Sequence, residues 1–456
     1  MTAKTLGDAI RAAGSPVKLL RNSQIGPYAF PVLRAEYTNW RDEQRAWTDS
    51  CALLDLSYHM TDLYVDGPDA LKLFADLSVN SFHNFRVGQA KQLVLCNHSG
   101  YVISDGIIFH LDTNKFNITG RPPIHNWVQF NLETRKYDAV AERDERAVDS
   151  KSRRKCFRFQ IQGPQAANVM ERVLGKPAPD IRFFHMGQMT IGGLSIRALR
   201  HGMAGQAGWE LFGPFEYADE IKNTILAAGQ ESGIRQVGAR AYPSATLESG
   251  WIPSIVPAVY HDECMKEYRE WLGADSYEAK ASLGGSFDSE DINDYYLNPF
   301  ELGQGQIIKY DHDFVGRTAL EQMSKDRCRQ KVTLVWNPDE FAQVFRSLCE
   351  PGDIVKYLDL PVANYATIPF ERVLRNGTPV GVATSSGYTY NKRAMISLGV
   401  VDKEYAQPGT ELTLIWGESD RGSAKPTVER HRQIEIPVTV APVPFSEVAR
   451  TLYRNQ

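Results

Sequence analysis

The chain has 456 residues, more than one ordinary core accommodates, and this length suggests about two to four domains. Hydrophobic residues make up 43% of it and charged residues 23%, and the net charge is −4 with the two signs interspersed. That balance excludes an electrostatic footprint for nucleic acid, and no apolar run approaches the roughly 18 to 20 residues of a membrane-spanning helix.

The N-terminal stretch M-T-A-K-T-L-G-D-A-I-R-A-A-G lacks the apolar centre of a signal peptide, so a cytoplasmic location is expected. The six cysteines, Cys51, Cys96, Cys156, Cys264, Cys328 and Cys349, are widely spaced without C-x-x-C. Buried thiols are expected, with neither a zinc cluster nor a disulfide framework. No histidines form H-E-x-x-H, so no metal is expected. The basic run K-S-R-R-K at 151–155 reads as a solvated turn.

Residues 1–22 carry apolar positions at helical spacing, and a second helix begins near Trp40 and Trp47. The stretch S-Y-H-M-T-D-L-Y-V-D-G-P-D-A-L-K-L-F-A-D-L then alternates as a strand, turns at D-G-P and continues as an amphipathic helix. Strands Q-L-V-L-C and Y-V-I-S-D-G-I-I-F-H-L flank a turn at Ser99-Gly100, and F-N-I-T-G-R follows at 116–121. Such short links predict a mostly antiparallel sheet. The strand, G-P, helix order recurs at F-R-F-Q-I-Q-G-P (157–164), and M-T-I-G-G-L-S-I-R-A-L-R forms a hairpin at Gly192-Gly193. This repetition fits paired α+β lobes around a cleft. Residues 262–296 are acidic and aromatic and read as an inserted, partly helical excursion. The run K-D-R-C-R at 325–329 marks a linker, and the closely spaced alternating strands beyond it predict a C-terminal β-barrel or sandwich.

No P-loop, no G-x-G-x-x-G after a strand and no G-x-S-x-G elbow is present, which disfavours nucleotide cofactors and a serine hydrolase. Polar residues at strand ends are what remains. Asp105 in V-I-S-D-G-I-I-F reads as a bulge or turn aspartate. Arg121, fixed by the prolines that follow, is either a rigid surface residue or a guanidinium aimed at a carboxylate. Gln160 and Gln162 project from one strand face, which is a solvent face or a polar cleft. In H-G-M-A-G-Q-A-G-W-E-L-F-G (201–213) the glycines allow close backbone approach, and Glu210 could accept two parallel N–H bonds from a heterocycle; a mobile surface loop is the plainer reading. His59 reads as a core or edge histidine, and Tyr28 is constrained by prolines on both sides. In R-A-Y-P-S-A-T-L-E-S-G-W, the proline after Tyr242 favours an extended backbone at the tyrosine; from this segment alone, a buried structural tyrosine is the plainer reading.

Taken in order, V-I-S-D-G, I-Q-G-P, G-M-A-G-Q-A-G-W-E-L, G-A-R-A-Y-P-S-A-T-L-E-S-G, N-P-F-E-L-G-Q-G-Q-I-I-K with F-V-G-R-T-A-L, and G-V-A-T-S-S-G-Y resemble the aminomethyltransferase (glycine-cleavage T-protein) family. The resemblance runs from about residue 20 to about residue 445 and is strongest to the family's tetrahydrofolate-dependent aromatic O-demethylases. It implies an α+β, three-domain clover-like fold around a central channel. The expected lobes are 1–50 with 135–235, and 51–134 with 236–324, followed by a barrel domain at 325–456.

The resemblance further implies methyl transfer from a lignin-derived methoxybenzoate to N5 of tetrahydrofolate. The pterin edge would meet Glu210, Gln160 or Gln162, Asp105 and Trp251. Arg121 would pair with the benzoate carboxylate, His59 and Tyr28 would line the ring, and Tyr242 would give a proton to the departing aryl oxygen, with Asp105 as the second proton-handling group. Leu56 and Phe30 stand where vanillate-type relatives carry an amide and a phenol, and this apolar lining favours syringate over vanillate or 3-O-methylgallate. The expected partners are therefore an aromatic acid and tetrahydrofolate, with no metal, nucleotide, nucleic acid, membrane or obligatory protein carrier. The competing readings are a sulfonium or lipoyl-bound aminomethyl donor and a non-catalytic folate-binding protein.

Overall fold

The computed structural model describes residues 3–147, 149, 153–323, 328–422 and 425–452. Two sheets and a barrel organise them. The first sheet has six strands, in the order Ile234–Val237, Cys51–Asp55, Cys156–Gln162, Gly208–Pro214, Leu194–Arg200 and Met186–Ile191. All its pairings are antiparallel except that of Cys51–Asp55 with Ile234–Val237. The second has five antiparallel strands, in the order Ala90–Cys96, Val102–Asp112, Lys115–Gly120, Thr61–Asp66 and Val140–Asp144. The C-terminal strands close a six-stranded barrel: Gln330–Trp336, Ala394–Val401, Thr378–Thr389, Glu371–Arg375, Glu411–Trp416 and Ile434–Ala441. Closure leaves no exposed edge in this last unit.

The alternation in Cys156–Gln162 shows how the lobes meet. Phe157, Phe159 and Ile161 join the core formed with Val169, Met170, Ile221 and Ile225 of the covering helices. Arg158, Gln160 and Gln162, on the opposite face, are also buried. The Arg158 guanidinium reaches the other sheet, donating to Asp62 at 2.9 Å and to Asn117 at 2.6 Å. A polar interior thus lies between the lobes.

Several expectations are corrected here. The N-terminal helix is two helices, Leu6–Ala13 and Pro16–Arg21, because Gly14 takes a left-handed backbone (φ 84°) and Ser15 caps the second. Strand Cys51–Asp55 lies in the six-stranded sheet and Val140–Asp144 in the five-stranded one, so the lobe boundaries near 50 and 135 are displaced. The stretch 262–296 is partly helical, with helices Lys266–Trp271 and Tyr277–Lys280, and it packs into the fold: Tyr268 and Tyr295 are fully buried, and the Tyr268 ring packs on Trp127 and Phe130 at 5.1 and 5.2 Å. Arg154, in the supposed solvated run, is buried against Asp62 and Asp144; Lys151 and Ser152 lie outside the described residues. So do Lys325, Asp326 and Arg327 of the expected linker. Cys51, Cys96 and Cys156 are buried, whereas Cys264 and Cys349 are exposed.

Candidate active site

The connection from the first sheet to the second, residues 56–60, carries two of the singled-out side chains. Leu56 continues strand Cys51–Asp55 with its amide donating to the Arg158 carbonyl at 2.8 Å. His59 sits just before strand Thr61–Asp66, with its ring buried.

Tyr242 approaches from the other direction, in a short 3-10 turn, Tyr242–Ser244, that leads into helix Ala245–Ser249. Its backbone is therefore helical, not extended. The Tyr242 amide bonds to the Gly238 carbonyl at 3.0 Å, and Pro243 falls in a first turn, where its missing N–H costs nothing.

The Tyr242 hydroxyl lies 2.9 Å from His59 Nε2, and the two rings meet edge-on at 4.8 Å. Phe30 packs edge-on against both, at 4.9 Å from Tyr242 and 5.0 Å from His59, and Tyr28 packs on Phe30 at 5.5 Å. The Tyr28 hydroxyl donates to the His59 carbonyl. Leu56 and Met203 belong to the same apolar cluster as Phe30 and Tyr242, with the Met203 sulfur 3.8 Å from the phenol. Arg121 follows strand Lys115–Gly120 and begins helix Pro122–Thr134; its Cζ lies 5.2 Å from the Tyr28 ring centre, and it donates to the Tyr277 hydroxyl at 3.3 Å. Tyr28, Phe30, Leu56, His59, Arg121 and Tyr242 are thus gathered into one aromatic cage.

Electrostatics fix the protonation states in this cage. Burial, reinforced by Arg154, Arg121 and Arg146, pushes His59 down to about 3, so its imidazole is neutral. Burial, with Glu210 and Tyr28 adding to it and Arg121 opposing, raises Tyr242 well above the usual phenol range. His59 Nδ1 is buried and has no hydrogen-bond partner among the described residues.

Asp105 marks a second cluster. It lies inside strand Val102–Asp112, paired with Val94, and not at a turn or bulge; the ladder irregularity falls at Leu95 and Cys96. Gly106 beside it is required, since a Cβ there would come within 2.8 Å of the Thr119 carbonyl. Three donors converge on Asp105 Oδ2: Gln92 at 2.8 Å, Gln304 at 3.0 Å and Trp251 at 3.2 Å. Burial raises the Asp105 carboxyl, while those bonds and Lys331 pull the other way. Burial in turn pushes Lys331, a barrel residue, down to about 8 against the attraction of Asp105.

The remaining candidates lie on the buried face of the six-stranded sheet. Gln160 and Glu210 are paired across adjacent strands. Gln160 donates to the His201 carbonyl at 2.8 Å, and its Oε1 has no partner among the described residues. Gln162 Oε1 accepts from the amides of Met203 and Ala204 at 2.9 and 3.1 Å, leaving Nε2 without one. That bond anchors the glycine-rich turn, as does Gly202, where a Cβ would stand 1.7 Å from the Gln206 carbonyl. Arg158 donates to Glu210 Oε1 at 2.7 Å, so two parallel bonds to a heterocycle would have to share that oxygen.

Unpaired buried amide atoms beside a carboxylate suit a heterocycle edge bearing both N–H and carbonyl groups. Gln160 Oε1, Gln162 Nε2 and Gln304 Oε1 are three such atoms, and the imidazole Nδ1 of His201 is a fourth buried polar atom without a partner among the described residues, so the residues present fit a pterin. Sequence reasoning missed Met203, Gln92, Gln304, Lys331 and Arg146. Met203 and Gln304 stood within the quoted motifs, whereas the other three reach the site only through tertiary packing.

A family model for the GCVT N-terminal domain matches residues 20–255, and one for the glycine cleavage T-protein C-terminal barrel domain matches residues 367–445. The chain belongs to the glycine-cleavage T-protein (aminomethyltransferase) family. It is 45% identical to the syringate O-demethylase of Sphingobium sp. (strain NBRC 103272 / SYK-6), over 99% of this chain and 98% of that protein. It is 29% identical to the sesamin methylene transferase of Sinomonas sp. (strain No.22), over 92% of each. The glycine cleavage system aminomethyltransferase T of Bartonella henselae shares the fold, with a TM-score of 0.61 at 18% identity over 93% of this chain and 95% of that one. The protein is an enzyme of the O-demethylase branch of this aminomethyltransferase family, which is tetrahydrofolate-dependent. Among the described residues of this T-protein relative, no group of three or more His, Cys, Asp and Glu could hold a metal ion, and no helix is long and apolar enough to cross a membrane.

Proposed function

We propose that the protein transfers a methyl group from an aryl methyl ether of a methoxybenzoate to N5 of tetrahydrofolate, releasing 5-methyltetrahydrofolate and a phenol. Syringate is the favoured donor, ahead of vanillate and 3-O-methylgallate. The observation that carries this reading is the phenol of Tyr242, bonded to His59 inside the aromatic cage. The similarity to a syringate O-demethylase supports the choice of donor, as do the apolar Leu56 and Phe30 where a second methoxy group would lie.

An aryl ether resists cleavage because its aryl oxide leaves poorly. A proton, or a strong hydrogen bond, must reach the oxygen as the C–O bond breaks. Tyr242 keeps its proton at any working pH, because burial raises it. The same burial makes it a weaker acid, but an aryl oxide formed beside it is desolvated too, so donor and acceptor stay matched. With its proton on Nε2, neutral His59 donates to the Tyr242 oxygen, and the phenolic O–H, held otherwise only by the weak acceptor sulfur of Met203, can turn to the ether oxygen. Tetrahydrofolate, when bound, supplies the nucleophilic nitrogen.

On the folate side, Glu210, Gln160, Gln162 and Trp251 hold the pterin, and Asp105 is the second proton-handling group. Arg121 pairs with the benzoate carboxylate. Holding methyl donor and acceptor in line on opposite sides supplies the orientation in advance. The reaction takes place in the cytoplasm and needs no carrier protein.

The test is incubation with tetrahydrofolate and, separately, syringate, vanillate, 3-O-methylgallate, dimethylsulfoniopropionate and a glycine-cleavage intermediate, following 5-methyltetrahydrofolate. Turnover of the non-aromatic donors alone would overturn the reading.

A further inference from the structure

We propose that Arg146 is a second carboxylate-binding cation, so that an aromatic acid in the cage is gripped by two guanidinium groups, those of Arg121 and Arg146. This deepens the reading of the site as one for a methoxybenzoate and rests on it.

Tyr28 has two cations on its ring. The Cζ atoms of Arg121 and Arg146 lie 5.2 and 5.0 Å from its centre, within cation–π range. The ring is held by its hydroxyl's bond to the His59 carbonyl, which ties both cations to the backbone that carries the cage histidine. Both also depress the basicity of His59, so both fields reach the cage.

Two like charges gathered on one ring repel, and the aromatic face offsets this only in part. Among the described residues neither arginine has a carboxylate at ion-pair distance. To the described residues Arg121 donates only at the Tyr277 hydroxyl, at 3.3 Å, and Arg146 only at the Ala29 carbonyl, at 3.4 Å. The nearby acids are engaged elsewhere: Glu145 with Arg143, and Asp62 and Asp144 with Arg154. Both arginines are half-buried, which weakens screening without isolating them from a ligand.

A pair of unneutralised guanidiniums beside an aromatic cage matches one chemical class, a ring bearing an anionic carboxylate. A neutral ring of the same shape would leave both charges uncompensated. Arg146 therefore sets specificity for the acid and takes no part in C–O cleavage.

The test is equilibrium binding, without tetrahydrofolate, of syringate and of its neutral carboxamide to the full-length protein, by calorimetry or tryptophan fluorescence. Wild type is expected to prefer the carboxylate. R146Q is expected to lose roughly ten- to hundredfold in syringate affinity while carboxamide affinity holds, and R146K to recover part of the loss. Unchanged syringate affinity in R146Q, or an equal loss for both ligands, overturns the role of Arg146 and leaves the demethylase reading standing. Failure of wild-type protein to bind syringate at all overturns both. Should R146Q fold poorly, R146K decides, since a point charge that keeps less than full carboxylate preference still marks the site.

Discussion

Replacing Tyr242 with phenylalanine removes one oxygen and keeps the ring. The ring's contacts with Phe30 at 4.9 Å and His59 at 4.8 Å survive, so the cage should keep its shape. What is lost is the 2.9 Å hydrogen bond to His59 Nε2. Because His59 Nδ1 already lacks a partner among the described residues, the variant leaves a buried imidazole with neither nitrogen bonded to them. A stability loss of about 1–3 kcal/mol is expected from that orphaned group. The catalytic loss should be larger, since positioned proton donation is worth roughly 100- to 10,000-fold. The assay follows 5-methyltetrahydrofolate and the released phenol at saturating syringate and tetrahydrofolate, alongside equilibrium binding of each ligand. Binding should stay within a few-fold of wild type while kcat falls by at least about 100-fold. Turnover within threefold of wild type would remove Tyr242 from proton donation and shift that role to Asp105.

Lys331→Met takes away the ammonium that helps Asp105 ionise. Asp105, already raised by burial, would then ionise at higher pH, so the acid limb of the kcat/KM profile should move upward; an unmoved limb would separate Asp105 from the rate. Leu56→Gln puts an amide into the apolar cluster with Phe30 and Tyr242 and should lower kcat/KM for syringate relative to vanillate by roughly three- to tenfold. An unchanged ratio would mean that Leu56 does not select the ring. His59 and His125 are both buried and held at about 3, below their unfolded value of about 6.5. The unfolded chain then binds the extra protons, so stability falls as pH drops from about 6.5 toward about 3. In His125→Gln the fall in urea midpoint between pH 7 and pH 5 should be shallower than in wild type; an equal or steeper fall would contradict the assignment.

The strands and most helices were legible because their signals are local. Alternation marks Cys156–Gln162, and the Gly192-Gly193 pair marks its hairpin with backbone φ of 59° and 85°. Partner choice was not legible. Nothing local in C-A-L-L-D says that it pairs with Ile234–Val237 in one sheet while the next strand, Thr61–Asp66, enters another. The same limit misled the reading of Tyr242, since the proline rule was overridden by a turn whose bond partner, Gly238, is set by the chain's path after the sheet. For the site, ordered motifs identified residues that the structure brings together, but Gln92, Lys331 and Arg146 come from segments with no motif, the first and last aimed by the five-stranded sheet and Lys331 by the barrel.

The buried charges between the lobes bear on why Glu210 can serve a ligand at all. Arg158 joins Glu210 on one sheet to Asp62 on the other, and Arg154 joins Asp62 to Asp144. Two cations are thus shared among three carboxylates, all nearly excluded from water. Such a network is a weak source of stability, since desolvation consumes much of the Coulomb gain. Its geometric effect is stronger. Arg158 fixes one oxygen of Glu210 at 2.7 Å, which sets the plane of the carboxylate and leaves its other oxygen to the cleft. Glu210 also raises the Tyr242 phenol through its charge, so the groups proposed to hold the pterin and to protonate the aryl oxygen lie in one electrostatic field. A carboxylate free to rotate would have to be ordered each time a ligand bound. One clamped between two sheets carries that cost in the folded protein, and the relative position of the two lobes then fixes where methyl donor and acceptor meet.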